Sequence, residues 1–259
     1  MKQHTIKKPK KTQNPNKVAE KIKSIESTRS TTQKVKTSKD RTVAATNWIR
    51  RHINDPFVQQ AKADGMLSRA VYKLMEIDGK FGILKPEQKV VDIGAAPGSW
   101  MKFVWEKTRS KNSLLIGIDL IDIDFKPDEN DKLAPNVHYI QGDFNSPEIQ
   151  QELQDKMDGM ADVMISDIAP NTIGSSDIDH IRSMSLINEA IRFTLNNLRE
   201  GGDFICKMFN GSETEETLKL LKRSFKHVKM FKPKSSRKES NEVYAVCRDR
   251  KRNESVKEN

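Results

Sequence analysis

From Lys89 to Asp249 short apolar runs alternate with amphipathic ones, and this alternation is what most narrows the folds open to the chain. "KVVDIGAA" (89–96), "SLLIGIDL" (113–120), "NVHYIQGD" (136–143) and "ADVMISDIAP" (161–170) read as strands. Between and around them "GSWMKFVWEKT" (98–108), "SPEIQQELQDK" (146–156) and "DHIRSMSLINEAIRFTLNNL" (179–198) read as helices, the last ended by Glu-Gly-Gly. "DFICKMF" (203–209) is a further strand, "SETEETLKLLKRSF" (212–225) a helix, and "HVKMFKP" (227–233) and "NEVYAVCRD" (241–249) are closing strands. Strands alternating with helices predict βαβ units around a mostly parallel α/β sheet. The last two strands are joined only by "KSSRKES", too short for a parallel crossover, so one strand near the C-terminus is antiparallel. Upstream, Met66, Ala70, Val71, Leu74 and Ile77 recur at helical spacing between Phe57 and Phe81, and Lys85–Pro86 breaks the pattern before the sheet begins.

At 259 residues the chain has room for one sizeable α/β domain with appendages. Residues 1–50 carry 14 Lys and Arg against 3 Asp and Glu, so the net charge of +10 lies entirely in that first fifth. Residues 1–47 read as a disordered basic arm, residues 48–250 as the folded domain and residues 251–259 as a polar tail. The arm suits phosphate neutralisation or serves as a solubility tail. It is poor in arginine, unlike an organelle transit peptide, and no stretch approaches the length of a membrane span. A cytoplasmic protein without membrane attachment is the expectation. Cys206 and Cys247 are the only cysteines and stand far from any Cys/His cluster, which speaks against a disulfide framework and common zinc modules; no metal is implied.

The chemistry begins at the turn "VVDIGAAPGSW" (90–100). In an open parallel sheet the first strand-to-helix turn approaches the ligand most closely, and Gly94 and Gly98 lack the Cβ that would obstruct it. A tight turn without a ligand has the same composition. G-A-A-P-G is not the G-x-G-x-x-G that exposes a helix N-terminus to a pyrophosphate. Asp119 then ends the next strand, where a carboxylate accepts both hydroxyls of a ribose. A ribose-bearing cofactor without phosphates fits best, and S-adenosylmethionine is one; Asp143, at the end of the third strand, would lie beside its adenine.

Lys207 sits in an otherwise apolar strand, where a lone ammonium is costly unless it is paired or its head escapes to solvent. Asp167 ends the fourth strand at the same edge, as a functional carboxylate or as a helix cap. Glu242 opens the last strand. If that strand runs antiparallel, Glu242 enters where Lys207 leaves; otherwise it is an exposed edge charge.

In order along the chain, "DGMLSRAVYKL", "VVDIGAAPGSW", "QGDF", "SDIAPN", "CKMF" and "KPKSSRKESNEVY" resemble the FtsJ-type 2′-O-ribose RNA methyltransferases, the group of the large-subunit ribosomal RNA methyltransferase E enzymes. The resemblance runs from about Asp55 to Arg248 and implies a Rossmann-like sheet with S-adenosylmethionine as cofactor. It implies cofactor positions at Gly98, Trp100, Asp119, Asp143 and Asp167, and a catalytic Lys-Asp-Lys-Glu set at Lys73, Asp167, Lys207 and Glu242. Ser99 stands where the family usually has a second glycine, and Leu67 where it commonly has arginine. The implied reaction is methyl transfer to the 2′-hydroxyl of a uridine in large-subunit ribosomal RNA during ribosome maturation, by a monomer acting on rRNA within the large subunit.

Such a reaction needs in-line alignment and removal of one proton. Lys207 would take the proton, Asp167 would position it, and Lys73 with Glu242 would orient the ribose. A free lysine titrates near about pH 10.4, so the role asks for surroundings that favour the neutral amine. Arg69, Lys73, Lys232, Lys234, Arg237 and Lys238 would form a basic rim for RNA. No base-reading motif is recognisable, so recognition would depend on RNA shape.

Two other enzymes fit poorly. Tyr72, Tyr139 and Tyr244 are followed four residues on by Glu76, Asp143 and Arg248, not by the lysine of a short-chain dehydrogenase, and "SDIAPN" is not the Asn/Asp-Pro-Pro-aromatic stretch of a base methyltransferase. A tRNA 2′-O-methyltransferase and a non-catalytic ribosome assembly factor remain as alternatives.

Overall fold

The computed structural model describes residues 15–28, 33–35, 42–169, 176–209 and 214–252. Helices α1 (Pro15–Ser27), α2 (Val43–Ile53), α3 (Pro56–Ala63) and α4 (Val71–Phe81) precede the first strand, β1 (Lys89–Ile93). There follow α5 (Ser99–Thr108), β2 (Leu114–Asp119), β3 (Val137–Gln141), α6 (Pro147–Met157), β4 (Ala161–Ser166) and α7 (Ser176–Asn197). β5 (Leu198–Phe209), α8 (Thr214–Ser224), β6 (Phe225–Phe231) and β7 (Glu242–Arg250) complete the domain.

The strands form one sheet in the order β3-β2-β1-β4-β5-β7-β6. Pairing is parallel from β3 across to β5, whereas β7 runs antiparallel to both β5 and β6. β7 is the antiparallel strand that the short connection after β6 demands. The fold is therefore the mostly parallel α/β sheet expected.

Side chains alternate along each strand between two cores. Val90, Val163, Ile165, Ile205 and Tyr244 pack toward α4, α5 and the N-terminal helices. Val91, Met164, Phe204, Cys206 and Ala245 pack toward α6, α7 and α8. Both faces are covered, which is why the central strands read as continuous apolar runs rather than alternating ones.

Two expectations are corrected. The basic arm is not disordered throughout: Pro15–Ser27 is helical and buries Val18, Ile22 and Ile25 in the first core. These residues recur at helical spacing among lysines, so the apolar stripe is thin, and Val18 packs closely on Gly79 of α4, where a Cβ would stand 3.3 Å away. Lys21 adds a salt bridge to Asp64 at 2.7 Å. Residues 1–14, 29–32 and 36–41 of the arm, and 253–259 of the tail, lie outside the described residues. The leading segment is also two helices rather than one. α3 stops at Asp64, Gly65 turns the chain at φ +66°, and α4 starts afresh at Val71. Ala70 therefore precedes α4 rather than lying within it.

Ile22 is 1% exposed on the α1–α4 contact. Ile22→Ala is expected to lower the unfolding free energy by about 2–5 kcal/mol, read from urea denaturation; an unchanged midpoint would mean that α1 does not dock.

Candidate active site

The carboxyl ends of the parallel strands share one edge, and strand order reverses at β1, between β2 and β4, which opens a crevice at that point. A cleft of about 590 Å³ occupies it, walled by Gly94, Asp119, Ile121, Asp143, Asp167 and Leu186 among others. Gly94 takes φ +77°, and a Cβ on it would stand 3.1 Å from Ile168. The Asp119 carboxylate accepts the Ala96 N–H at 2.9 Å and the Ile121 N–H at 3.1 Å. Asp143 accepts the Asn145 N–H at 2.9 Å. Leu120 and Ile121 hold apolar side chains at the mouth, both largely exposed.

Gly98 and Trp100 line this cleft no more than Lys73 does. Gly98 caps α5 at φ +102°; a Cβ there would come within 2.4 Å of the Phe125 Cβ, so the residue lets the 123–125 loop close over the helix start. Trp100 is buried, donates its indole N–H to the Ala70 carbonyl at 2.8 Å and packs on Tyr244 at 6.0 Å between ring centroids. It lines a small cavity of about 60 Å³ together with Ser68, Asp92, Gly94, Ser99 and Asp167. Ser99, at the position where a glycine was expected, is buried there and hydrogen-bonds the Ser68 hydroxyl at 2.9 Å.

The antiparallel register of β5 and β7 pairs Lys207 with Tyr244 and Phe209 with Glu242. Glu242 thus enters at the edge where Lys207 leaves. Lys207 Nζ lies 3.0 Å from Asp167 Oδ1 and donates to the Asp167 carbonyl at 2.5 Å. Lys73 Nζ, reaching in from α4, lies 2.9 Å from Glu242 Oε1 and 3.9 Å from Asp167 Oδ2. All four side chains named for catalysis therefore meet in one cluster.

Tyr244 joins them. Its hydroxyl donates to Asp167 Oδ1 at 2.6 Å. Burial alone would raise the Asp167 pKa, but the Lys207 and Lys73 ammonium groups and the Tyr244 hydroxyl outweigh it and hold the carboxyl below the usual carboxylate range. Burial, followed by the Asp167 and Glu242 charges, drives the Tyr244 phenol well above its ordinary value, so it stays a donor. Sequence reading used Tyr244 only to exclude a dehydrogenase. The available signal was its place two residues after Glu242, on the same face of a strand. Sequence reading also passed over Asp92. Its carboxyl is buried with neither oxygen hydrogen-bonded, and burial and then the charges of Asp167 and Asp119 push its pKa well up.

On the far side of the cluster lies a second cleft, about 410 Å³, lined by Arg51, His52, Arg69, Lys73, Arg237 and Glu242 among others. Arg69 is tied to Asp55 and to the Ser235 carbonyl. Burial and then the Arg237 charge bring its pKa down to about 10, which leaves it cationic at neutral pH. Glu76 accepts the backbone N–H groups of Lys234 and Ser235, at 2.9 and 2.8 Å, and so pins the β6–β7 connection against α4. Of the basic rim expected, Arg69, Lys73 and Arg237 line this cleft. Lys232 and Lys234 instead line a groove between α1, α4 and β6, and Lys238 lines neither cavity.

Comparison with known proteins bears on this arrangement. The FtsJ-like methyltransferase family model matches residues 66–250. The "Ribosomal RNA large subunit methyltransferase E" of Rickettsia rickettsii is 43% identical over 222 residues, which span 84% of this chain and 94% of that protein. The protein of the same name from Zymomonas mobilis is 42% identical over 219 residues, with the same coverage of 84% and 94%. Among solved structures, a ribosomal RNA methyltransferase from Plasmodium falciparum superposes with a TM-score of 0.60 at 34% identity, covering 71% of this chain and 97% of that one.

A carboxyl held low in the folded state contributes stability that is present above its unfolded value and is lost as pH falls through the folded one. Tyr244→Phe removes one donor to Asp167, so the acid limb of the stability curve is expected to move to higher pH. Asp167→Asn should flatten that limb. Denaturant unfolding at a series of acidic pH values reads both; coincident curves for wild type and Tyr244→Phe would mean that the phenol does not hold the carboxylate.

Proposed function

Because the chain belongs to the FtsJ-like methyltransferase family, we propose that it transfers a methyl group from S-adenosylmethionine to the ribose 2′-hydroxyl of a uridine in large-subunit ribosomal RNA, acting as a cytoplasmic monomer on the large ribosomal subunit. The observation that carries this reading is three cavities in series. Gly94, Ala96 and Asp167 line both the large cleft and the small cavity, while Ser68 and Ala70 line both the small cavity and the basic cleft. Asp167 stands at the junction. A donor held on one side and an acceptor held on the other exchange only a small group through such a constriction. The basic lining of the acceptor side suits a polyanion.

The residues of the large cleft fit S-adenosylmethionine. Asp119 would take the ribose hydroxyls and Asp143 would lie at the adenine edge, with Ile118, Leu120, Ile121 and Phe144 as apolar wall. The unpartnered Asp92 carboxyl offers the small cavity an acceptor for an ammonium group. Gly98 and Trp100 would act from beneath, by shaping the turn and closing the small cavity. When bound, the cofactor supplies a methyl group activated by a sulfonium.

The chain's own residues then prepare the hydroxyl. Lys73, paired with Glu242 on the basic side, would hold the ribose by hydrogen bonds. Lys207, once its ammonium has given up a proton to solvent, would take the proton of the 2′-hydroxyl on the freed amine, and Asp167, bonded to it through both its carboxylate and its carbonyl, would fix the direction of the Nζ. Tyr244 would keep the Asp167 carboxylate charged and oriented.

The test is transfer of labelled methyl from S-adenosylmethionine to tRNA, free rRNA and large ribosomal subunits, the product being located as an alkali-resistant linkage. Label in large-subunit rRNA is expected. Lys207→Ala should lose about 10²–10⁴-fold in rate, and Lys207→Arg should not recover it, since guanidinium stays protonated. Label in tRNA alone would overturn the substrate, full activity of Lys207→Arg would overturn the base, and cofactor binding without transfer to any RNA would favour an assembly factor. Asp119→Ala is expected to weaken S-adenosylmethionine binding by at least about tenfold in calorimetry, as two hydrogen bonds to a charged acceptor are lost.

A further inference from the structure

Trp48 on α2 is 51% exposed, while Trp100 and Trp105 are each 3% exposed. Its indole lies over the His52 imidazole with ring centroids 5.0 Å apart and planes 10° apart, so the two rings form one flat stack. His52 in turn lines the basic cleft beside Arg51, Arg69 and Arg237, the cleft that also contains Lys73 and Glu242. The stack is an extension of that wall toward solvent, and half of the indole remains open. Burial, then the charges of Arg237 and Arg69, push the His52 pKa down, so at neutral pH the ring under Trp48 is an uncharged aromatic surface.

The platform is held in place by the fold. Thr42 caps the start of α2 by accepting the Ala45 N–H at 3.2 Å. At the other end the Asn54 side chain bonds the Gln33 backbone in both directions, at 2.6 and 3.1 Å, and Gln59 donates to the Ile53 carbonyl at 3.0 Å. A single exposed apolar residue has no special meaning. A tryptophan already stacked on a second ring, at the edge of an arginine-lined cleft, presents the two features that recognise an unpaired nucleotide: a π-face for the base and cations for its phosphate.

We propose that Trp48, backed by His52, is a stacking platform for an unpaired base of the substrate RNA, belonging to a nucleotide next to the one whose ribose reaches Lys73 and Lys207. The proposal rests on the basic cleft being the RNA side of the enzyme. It adds that the substrate presents its target within a loop or other single-stranded segment, which the flanking stack helps to hold.

Because the other two tryptophans are buried, quenching of the exposed component of intrinsic fluorescence reports on Trp48. A short single-stranded RNA is expected to quench it, and an abasic strand with the same number of phosphates is not. Trp48→Ala should bind the RNA about 5- to 100-fold more weakly, Trp48→Phe should keep most of the affinity, and the salt dependence should be unchanged in both. Under turnover KM for RNA should rise in Trp48→Ala with kcat and S-adenosylmethionine affinity unchanged. Equal affinity of wild type and Trp48→Ala, equal quenching by the abasic strand, or no binding of single-stranded RNA by wild type would each overturn the platform. Trp48-dependent RNA binding in a protein that transfers no methyl would uphold the platform and overturn the proposed reaction instead.

Discussion

The Asp167 carboxylate is the group on which the cluster depends. It takes the Lys207 ammonium and the Tyr244 hydroxyl on one oxygen and faces Lys73 with the other. Two largely buried lysines would repel each other and suffer the loss of their hydration unless anions stood between them; Asp167 and Glu242 supply that, one near each ammonium. Removing either carboxylate would leave a buried cation without its partner, which costs far more than the ion pair itself contributes. The four charges and the phenol therefore behave as one unit whose geometry is set by three separate elements: α4, the loop after β4, and the β5–β7 pair.

That unit sits where the sheet forces a crevice. β1 is flanked by β2, which it feeds, and by β4, which the chain reaches only after β3, so the loops leaving β1 and β4 part from each other, and the ends of β2 and β3 bring Asp119 and Asp143 to the same opening. The antiparallel β7 adds what a wholly parallel sheet does not provide, a strand that begins at the catalytic edge. Its first residue is Glu242 and its third is Tyr244, and the two-residue period of the strand turns both toward α4 and Asp167.

The N-terminal helices build the other side. α1 covers α4, α3 and α4 carry Arg69 between them, and α2 brings Arg51, His52 and Trp48 to the mouth of the basic cleft. Asp55, at the cap of α3, accepts both Arg69 and Arg237 and so ties the helical layer to the β6–β7 connection. Cationic side chains are held there by structure rather than left as a diffuse charged surface, which gives the cleft a defined width as well as a sign.

Much of this was legible in one dimension. Apolar runs and helical spacing determined the α/β sheet, the short connection after residue 233 determined an antiparallel strand, and the glycine turn with the acids at strand ends located the large cleft. These are local properties, set by the chain's period and by the lengths of its connections. Tertiary structure alone decided the rest. The burial of Val18, Ile22 and Ile25 in the first core is invisible in a lysine-rich composition because only the partner helices make a thin stripe sufficient to bury. Tyr244 on Asp167, Trp100 behind the small cavity and the unpartnered Asp92 all depend on which distant residue comes to lie opposite, a matter of packing and register that no spacing along the chain encodes, and the Trp48–His52 pair, four residues apart on α2, owes to tertiary structure its place beside the cleft.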